Sequence, residues 1–218
     1  VLTYAGLAGG GVAATLCRGM AENVISTEVH EAGGGAELGR ATLRVPALAK
    51  LVLGADDTDS SDKGATWSTL NELAYELEGE SLSRYLGHTI VQLYPDNPFK
   101  TTNCCATAVT LGVGEADIPA LIGRVCGELR ARCFSENCGM AVHTGVPVPG
   151  TLRDFTLAAR SRMVSELEAE EAAASGGAAL YPVTGKRGCI GALAALGAHD
   201  DPDAAVCPAS GPKAEEPE

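Results

Sequence analysis

Several strand-like segments of the 218-residue chain follow one another after connections too short to contain a helix. The segments 25–32 and 41–47 flank a run of three glycines, and the segments 87–94 and 104–113 are separated by the polar loop 95–103. Parallel strands need a crossover of a dozen or more residues, whereas antiparallel strands can be joined by short loops. The sequence therefore predicts an α+β fold in which antiparallel sheets are covered by helices.

Four segments are predicted along the chain. They are a small N-terminal αβ unit at 1–49, a larger unit at 50–148, a helical and glycine-rich segment at 149–198, and an acidic tail at 199–218. Apolar residues at helical spacing, together with glycine and proline breaks, predict where the helices lie. The predicted helices are 13–24, 66–79, 116–132, 151–164, 166–175 and 186–198.

Net charge restricts the class of partner. The chain carries a formal charge of −12 at pH 7 and has a calculated pI near 4.7. Because affinity for nucleic acid depends mainly on cationic groups that meet the phosphates, nucleic acid is not expected as a partner. No signal peptide and no long apolar run marks secretion or membrane insertion, so a cytoplasmic protein with reduced thiols is expected. The absence of an initiating Met predicts a segment upstream of Val1.

Three carboxylates follow the apolar run 48–53. Asp56, Asp57 and Asp59 fall within four positions and precede the predicted helix at 66–79. Capping of this helix would account for one of them, and a solvated turn is a second explanation. The third is magnesium, which takes a few carboxylates together with the phosphates of a substrate. Asp56 and Asp57 are neighbours, and neighbouring residues of a strand point in opposite directions.

Three other features have functional and structural interpretations. Lys186 and Arg187 precede Gly188 at the start of a predicted helix, where an anion could bind or where a surface turn could simply begin the helix. The glycine turn 6–12 lacks a P-loop lysine and favours tight packing over phosphate binding. The eight cysteines contain no CxxC motif, and buried hydrophobic side chains are the default interpretation of them.

Four segments resemble, in family order, the archaeal isoleucine-tRNA agmatinylcytidine synthetases. They are GADDTDS (54–60), QLYPDNPFKTTNCCATAVTL (92–111), FSENCGMAV (134–142) and GKRGCIGALAALG (185–197). A narrower resemblance covers nearly the whole chain. The run TYAGLAGGGVAATLCRGMAE (3–22), the GATW turn (64–67), HTIVQLYPDNPFKTTNCC (88–105) and PVTGKRGCIGALAALG (182–197) are similar to methanogenesis marker protein 11. The resemblances imply a kinase-like ATP domain at 50–148 and a ferredoxin-like, amine-binding domain completed by 149–198.

The resemblance also implies site residues. Catalytic roles fall to Asp56, Asp57 and Lys100, and a magnesium ion to Asp56, Asp57 and Asp59. Binding of ATP is implied for Asp59, Thr58, Thr66, Thr101, Lys186 and Arg187. Binding of a small primary amine is implied for Glu136, Asn137 and Gly139. This set suits phosphoryl transfer, which needs positioning and charge neutralisation more than covalent chemistry.

Two departures keep other functions open. Trp67 stands where the synthetases have a phosphorylated Thr, and the stretch 102–105 replaces a cationic, glycine-containing loop. The first hypothesis is an ATP-dependent ligase or phosphotransferase that activates an acceptor oxygen other than that of tRNA. The second is a non-catalytic nucleotide-binding or assembly factor for methanogenesis enzymes. The third is a truncated tRNA-modifying synthetase.

Overall fold

The computed structural model describes residues 1–7 and 18–201, which fall into two compact units, 1–48 and 49–218. Residues 8–12 of the predicted glycine turn, residues 13–17 of the predicted helix at 13–24 and residues 202–218 of the acidic tail lie outside the described residues. None of the described helices is long and apolar enough to cross a membrane.

The first unit contains a three-stranded antiparallel sheet. Its strands are β1 (Leu2–Gly6), β2 (Ser26–Gly34) and β3 (Glu37–Arg44), in the order β1-β3-β2. Gly33, Gly34 and Gly35 have positive φ angles of 67°, 125° and 60°, a conformation that glycine adopts at little steric cost. The glycine run therefore ends β2 and, with Gly35 and Ala36, leads through the turn of the β2–β3 hairpin.

The second unit contains a five-stranded antiparallel sheet in the order β5-β6-β4-β7-β8. These strands are β4 (Ala49–Asp56), β5 (Arg84–Gln92), β6 (Cys105–Val113), β7 (Gly139–Thr144) and β8 (Ala179–Pro182). Strand β8, from the segment 149–198, pairs with β7, from the segment 50–148, so both segments contribute to one sheet. The predicted α+β fold with antiparallel sheets is confirmed.

Five α-helices cover the two faces of this sheet. They are α1 (Thr66–Gly79), α2 (Ile118–Arg132, after a 3₁₀ turn at Glu115–Asp117), α3 (Gly150–Ser161), α4 (Glu166–Gly176) and α5 (Gly188–Ala198). Alternation along β4 defines the two faces, because Leu51 and Leu53 join one hydrophobic cluster with α1 and α2. Val52, between them, joins the other cluster, with α3, α4 and α5.

Helix α1 shows how the sequence determines these layers. Leu70, Leu73, Ala74 and Leu77 recur at helical spacing, and all four are buried against the sheet. The opposite face of the helix is largely exposed and polar.

Helix α5 is buried on nearly all sides, and small residues let it approach the sheet closely. A Cβ atom added to Gly54 of β4 would lie 2.1 Å from the carbonyl oxygen of Ala192 in α5. A Cβ atom added to Gly139 of β7 would lie 2.1 Å from the amide nitrogen of Cys189. These contacts seat the start of α5 over the ends of β4 and β7, where Asp56 lies.

This close packing predicts the effect of adding one methyl group. We expect Gly54→Ala to lower the free energy of unfolding by about 1–3 kcal/mol or more, because the new Cβ meets backbone atoms that cannot move aside easily. Gly123→Ala is the matched control, since a Cβ at this position in α2 meets nothing within 4 Å. The control should gain about 0.5–1 kcal/mol through helix propensity. Urea denaturation measures both values, and equal stability of Gly54→Ala and the parent would contradict the packing of α5.

Candidate functional site

The acidic loop begins where β4 ends. Asp57 has a φ angle of 56°, in the left-handed region, and its amide nitrogen donates a 2.9 Å hydrogen bond to Oδ1 of Asp56. Both side chains line one cavity of about 780 Å³, together with Asp59. The expectation that neighbouring Asp56 and Asp57 point in opposite directions is wrong, because the left-handed residue ends the alternation of the strand.

Capping of helix α1 does not explain this loop. The N-cap residue is Ala65, and no side chain makes a capping hydrogen bond. Instead, the hydroxyl of Thr66 donates to Oδ1 of Asp59 at 2.8 Å and accepts from both the amide and the hydroxyl of Thr58 at 3.1 Å. The hydroxyl of Thr101 donates to Oδ2 of Asp59 at 3.3 Å. Asp59 is therefore fixed between helix α1 and the loop 95–103.

A freely solvated turn does not explain the loop either. The side chain of Asp57 is only 16% exposed. Burial raises the pKa of Asp56 well above its usual range, and the neighbouring Asp57 carboxylate adds to the rise. Burial also raises the pKa of Asp57, against the opposing effect of Arg187. A raised pKa means that the ionised form is disfavoured in the fold, so these carboxylates lack enough compensating positive charge within the chain.

Arg187 lies opposite these carboxylates, at the start of α5. Its Nε atom is 3.7 Å from Oδ2 of Asp57, longer than a hydrogen bond, and is buried with no hydrogen-bond partner among the described residues. Its guanidinium carbon lies 4.9 Å from the centre of the Phe99 ring. A buried donor without a partner beside a cavity is a suitable contact for an anionic ligand.

The other two predicted cations, Lys100 and Lys186, line different cavities. Lys100 is exposed on the loop 95–103, lines the 780 Å³ cavity, and donates from Nζ to the carbonyl oxygen of Pro95 at 2.5 Å. Lys186 pairs with Glu170 at 3.3 Å and lines a second cavity of about 270 Å³. The structure thus brings Lys100 together with the acidic loop and places Lys186 beside a different space.

The predicted amine-binding residues do not line the 780 Å³ cavity. Glu136 is exposed, and the carbonyl oxygen of Asn137 accepts a 2.8 Å hydrogen bond from the amide of Gly188. Gly139 is buried in β7 directly beneath Cys189. These three residues support the segment that carries Arg187, and their contact with an amine stays a prediction. Thr58 likewise is buried beside the cavity and positions Thr66.

Several residues that line the cavity were not predicted from the sequence. Among them are the rings of Tyr94 and Phe99 and the segment 162–166, which connects α3 to α4. Phe99 precedes Lys100, a predicted catalytic residue, in the loop 95–103. Because only 4% of the residues are aromatic, an aromatic residue at this position could have indicated a ligand contact. The segment 162–166 carries no such signal, because only the packing of α3 and α4 brings it to the cavity.

The residues that line this cavity are only partly suited to bind magnesium and phosphate. Carboxylate oxygens are the ligands that magnesium prefers in proteins. Among residues 1–7 and 18–201, however, no three His, Cys, Asp or Glu side chains are grouped closely enough to hold a metal ion alone. Both oxygens of Asp59 already accept hydrogen bonds from threonine hydroxyls. Asp56 and Asp57 are therefore the residues that would hold a magnesium ion here, and they would not do so alone.

The buried carboxylate predicts a pH-dependent gain in stability for Asp56→Asn. A carboxyl group whose pKa is higher in the folded protein binds more protons when folded, so stability falls as pH rises through the window between the two pKa values. Asparagine cannot ionise and keeps the acceptor for the Asp57 amide. We expect the variant to unfold at a higher urea concentration than the parent at pH 7.

The difference should shrink toward zero as the pH falls below the unfolded value of about 4. Asp62→Asn is the matched control, since Asp62 is exposed in the same loop and should show no such gain. Urea denaturation between about pH 4 and pH 7 measures the difference, and a loss of stability in Asp56→Asn at pH 7 would contradict the electrostatic cost.

Comparison with known proteins identifies relatives of this chain. Residues 52–146 match the model of the TiaS TCKD domain. The uncharacterized protein MJ0921 of Methanocaldococcus jannaschii is 42% identical over 196 residues, which are 90% of this chain and 65% of that protein. The tRNA 2-agmatinylcytidine synthetase TiaS of Pyrobaculum neutrophilum is 31% identical over 159 residues, which are 69% of this chain and 35% of the synthetase.

Solved structures agree with the sequence relatives. The complex of TiaS with an isoleucine tRNA and ATP matches 70% of this chain and 37% of TiaS with a TM-score of 0.60 and 26% identity. The complex of TiaS with the same tRNA, AMPCPP and agmatine matches the same shares of both chains, with a TM-score of 0.60 and 25% identity. The chain thus spans about a third of the synthetases' length. Over that part, it is related to the tRNA agmatinylcytidine synthetases.

Proposed function

We propose that the chain binds magnesium and ATP in the 780 Å³ cavity and activates an acceptor oxygen by phosphoryl transfer. The observation that carries the proposal is that one cavity is lined by Asp56, Asp57, Asp59, Lys100 and Arg187. Neither capping nor free solvation accounts for the partly buried carboxylates, and the Nε donor of Arg187 beside them has no hydrogen-bond partner among the described residues. Related synthetases have been solved with ATP and with AMPCPP, which supports a nucleotide as the ligand.

The charge of the cavity supports dependence on a divalent cation. Its lining contains the acidic side chains Asp56, Asp57, Asp59 and Glu166 and the basic side chains Lys100, Arg162 and Arg187. A triphosphate is strongly anionic, and four carboxylates against three cations would repel it. Asp56 and Asp57 would hold a magnesium ion, and its positive charge would offset this repulsion.

Each residue then has a separate role. Asp56 and Asp57 would hold the cation, and Thr66 and Thr101 keep Asp59 oriented toward the cavity. Lys100 and Arg187 would stabilise the charge on the transferring phosphoryl group. Lys100 can do so only after its ammonium group leaves the carbonyl oxygen of Pro95.

The reaction proposed for this site begins with attack of an acceptor oxygen on the γ-phosphorus. A new phosphorus–oxygen bond forms, the bond between the γ-phosphorus and the β,γ-bridging oxygen breaks, and ADP leaves with that electron pair. A primary amine can then displace the phosphorylated oxygen as phosphate, which would attach the amine. The acceptor proposed here is not tRNA, because the chain carries a net charge of −12.

A non-catalytic nucleotide-binding or assembly role for methanogenesis enzymes is the second candidate. Trp67 lines the cavity where the synthetases are expected to carry a phosphorylated Thr, which favours a site that binds without turnover. Membership of the methanogenesis marker protein 11 family is part of this proposal and depends on the sequence segments that resemble it. A third candidate is a truncated tRNA-modifying synthetase, which the similarity to TiaS supports.

Calorimetric titration with ATP tests the binding proposal. We expect the parent to bind ATP in the presence of magnesium and to lose most of this affinity in EDTA. Asp57→Asn should weaken binding at least about tenfold, because a charged ligand of the cation is lost. Asparagine tolerates the left-handed backbone of Asp57, so the fold is kept.

Asp62→Asn is the control, because the same substitution is made in the same loop on an exposed side chain. It should bind ATP as the parent does. Equal affinity of Asp57→Asn and the parent would show that the acidic loop does not hold the nucleotide.

Release of ADP separates the enzyme from the assembly factor. We expect the parent to form ADP with magnesium and ATP in the presence of a suitable primary amine and acceptor. Lys100→Met should reduce the rate by about 100-fold or more, because one cationic contact to the transferring phosphoryl group is removed. If the parent binds ATP but forms no ADP with any acceptor tried, and Lys100→Met binds ATP as the parent does, the non-catalytic role is favoured.

A further inference from the structure

Aromatic side chains are concentrated at the 780 Å³ cavity. The chain has nine aromatic residues, and three of them, Trp67, Tyr94 and Phe99, line this one space. Trp67 is 46% exposed and Phe99 is 53% exposed. Large rings normally contribute to a core, and rings that remain exposed in a concave, charged site are typical of contacts with a ligand.

Trp67 is held beside the groups that are proposed to bind phosphate. It follows Thr66, whose hydroxyl donates to Asp59, and it belongs to the first turn of α1. Leu70, one turn later, is 1% exposed, so the backbone that carries Trp67 is anchored in the core. A helix anchored in this way fixes the backbone of Trp67 beside the cavity before a ligand binds, which limits the entropy lost on binding.

Trp67 and Phe99 differ in what their faces already contact. One face of Phe99 is covered by the guanidinium group of Arg187, whose central carbon lies 4.9 Å from the ring centre. In the part of the chain that the structure describes, no ring or cation stacks on Trp67. Of these two exposed rings, Trp67 is therefore the one that has no ring or cation on either face among the described residues.

We propose that Trp67 is a binding residue that stacks on the nucleobase of the bound nucleotide. This inference rests on the proposed function, because it requires a nucleotide in the cavity. A ligand with both a planar ring and a phosphate chain would then meet Trp67 with the ring and Asp57, Lys100 and Arg187 with the phosphates and their cation. Trp67 thereby distinguishes a nucleotide from an inorganic polyphosphate, which has no ring.

The indole itself reports on this contact. Trp67 is the single tryptophan of the chain, so intrinsic tryptophan fluorescence comes from this position alone. Titration with ATP and magnesium should change the emission intensity or maximum, because a stacked base replaces water on the indole face. Titration with inorganic tripolyphosphate and magnesium should occupy the phosphate positions and leave the emission nearly unchanged.

Two substitutions test the energetic contribution. Trp67→Ala should weaken ATP binding by about 5- to 150-fold, the range expected for loss of one stacked base. Trp67→Phe keeps an aromatic face and should retain most of the affinity. Neither variant should alter the affinity for tripolyphosphate, measured by calorimetry, since that ligand offers nothing to stack.

The outcomes distinguish this inference from the proposed function. If ATP binds to the parent with unchanged fluorescence, and Trp67→Ala binds ATP as tightly as the parent, the stacking role is overturned and the nucleotide site stands. If calorimetry detects no ATP binding to the parent, both are overturned. Circular dichroism checks the fold of Trp67→Ala, and if that variant does not fold, Trp67→Phe and the fluorescence of the parent still decide the result.

Discussion

The contact of helix α5 with the central strands determines the rest of the site. Gly54 leaves no side chain between β4 and Ala192, and Gly191 leaves none between α5 and the carboxylate of Asp56. Because the helix lies this close, Asp56 is shielded from water and Arg187, at the start of the helix, faces Asp57. The packing that completes the hydrophobic core therefore also creates the electrostatic conditions of the cavity.

Holding the charges of Asp56 and Asp57 in this partly buried position costs free energy that the contacts within the fold do not fully offset. Burial raises the pKa of both Asp56 and Asp57, with added repulsion from Asp57 and Asp59 on Asp56 and from Asp59 on Asp57, and Arg187 stays beyond hydrogen-bond length of Asp57. Unpaired buried charge is uncommon away from functional sites, because desolvation opposes it. A ligand that brings positive charge to the carboxylates and negative charge to Arg187 would relieve both sides of the imbalance. This argues for a cation and an anion that arrive together.

Sequence patterns predicted the layers better than the site. The helix predicted at 66–79 and the strand predicted at 50–55 follow from buried apolar spacing, and the structure has α1 at Thr66–Gly79 and β4 at Ala49–Asp56. The direction of the Asp57 side chain could not be predicted in this way, because it depends on one left-handed residue. The positions of Glu136 and Lys186 depend on contacts between distant segments, for which neither periodicity nor local spacing carries information.

The size of the charged surface bears on which anion the cavity suits. Its three basic side chains lie around one space of about 780 Å³, and Arg162 among them also pairs with Glu168 at 2.7 Å. A polynucleotide needs many cations spread along its backbone, because each neutralised phosphate adds to affinity. Lys100 and Arg187 can neutralise only a few neighbouring anionic charges, so the lining of this cavity suits the mononucleotide proposed above better than a polynucleotide.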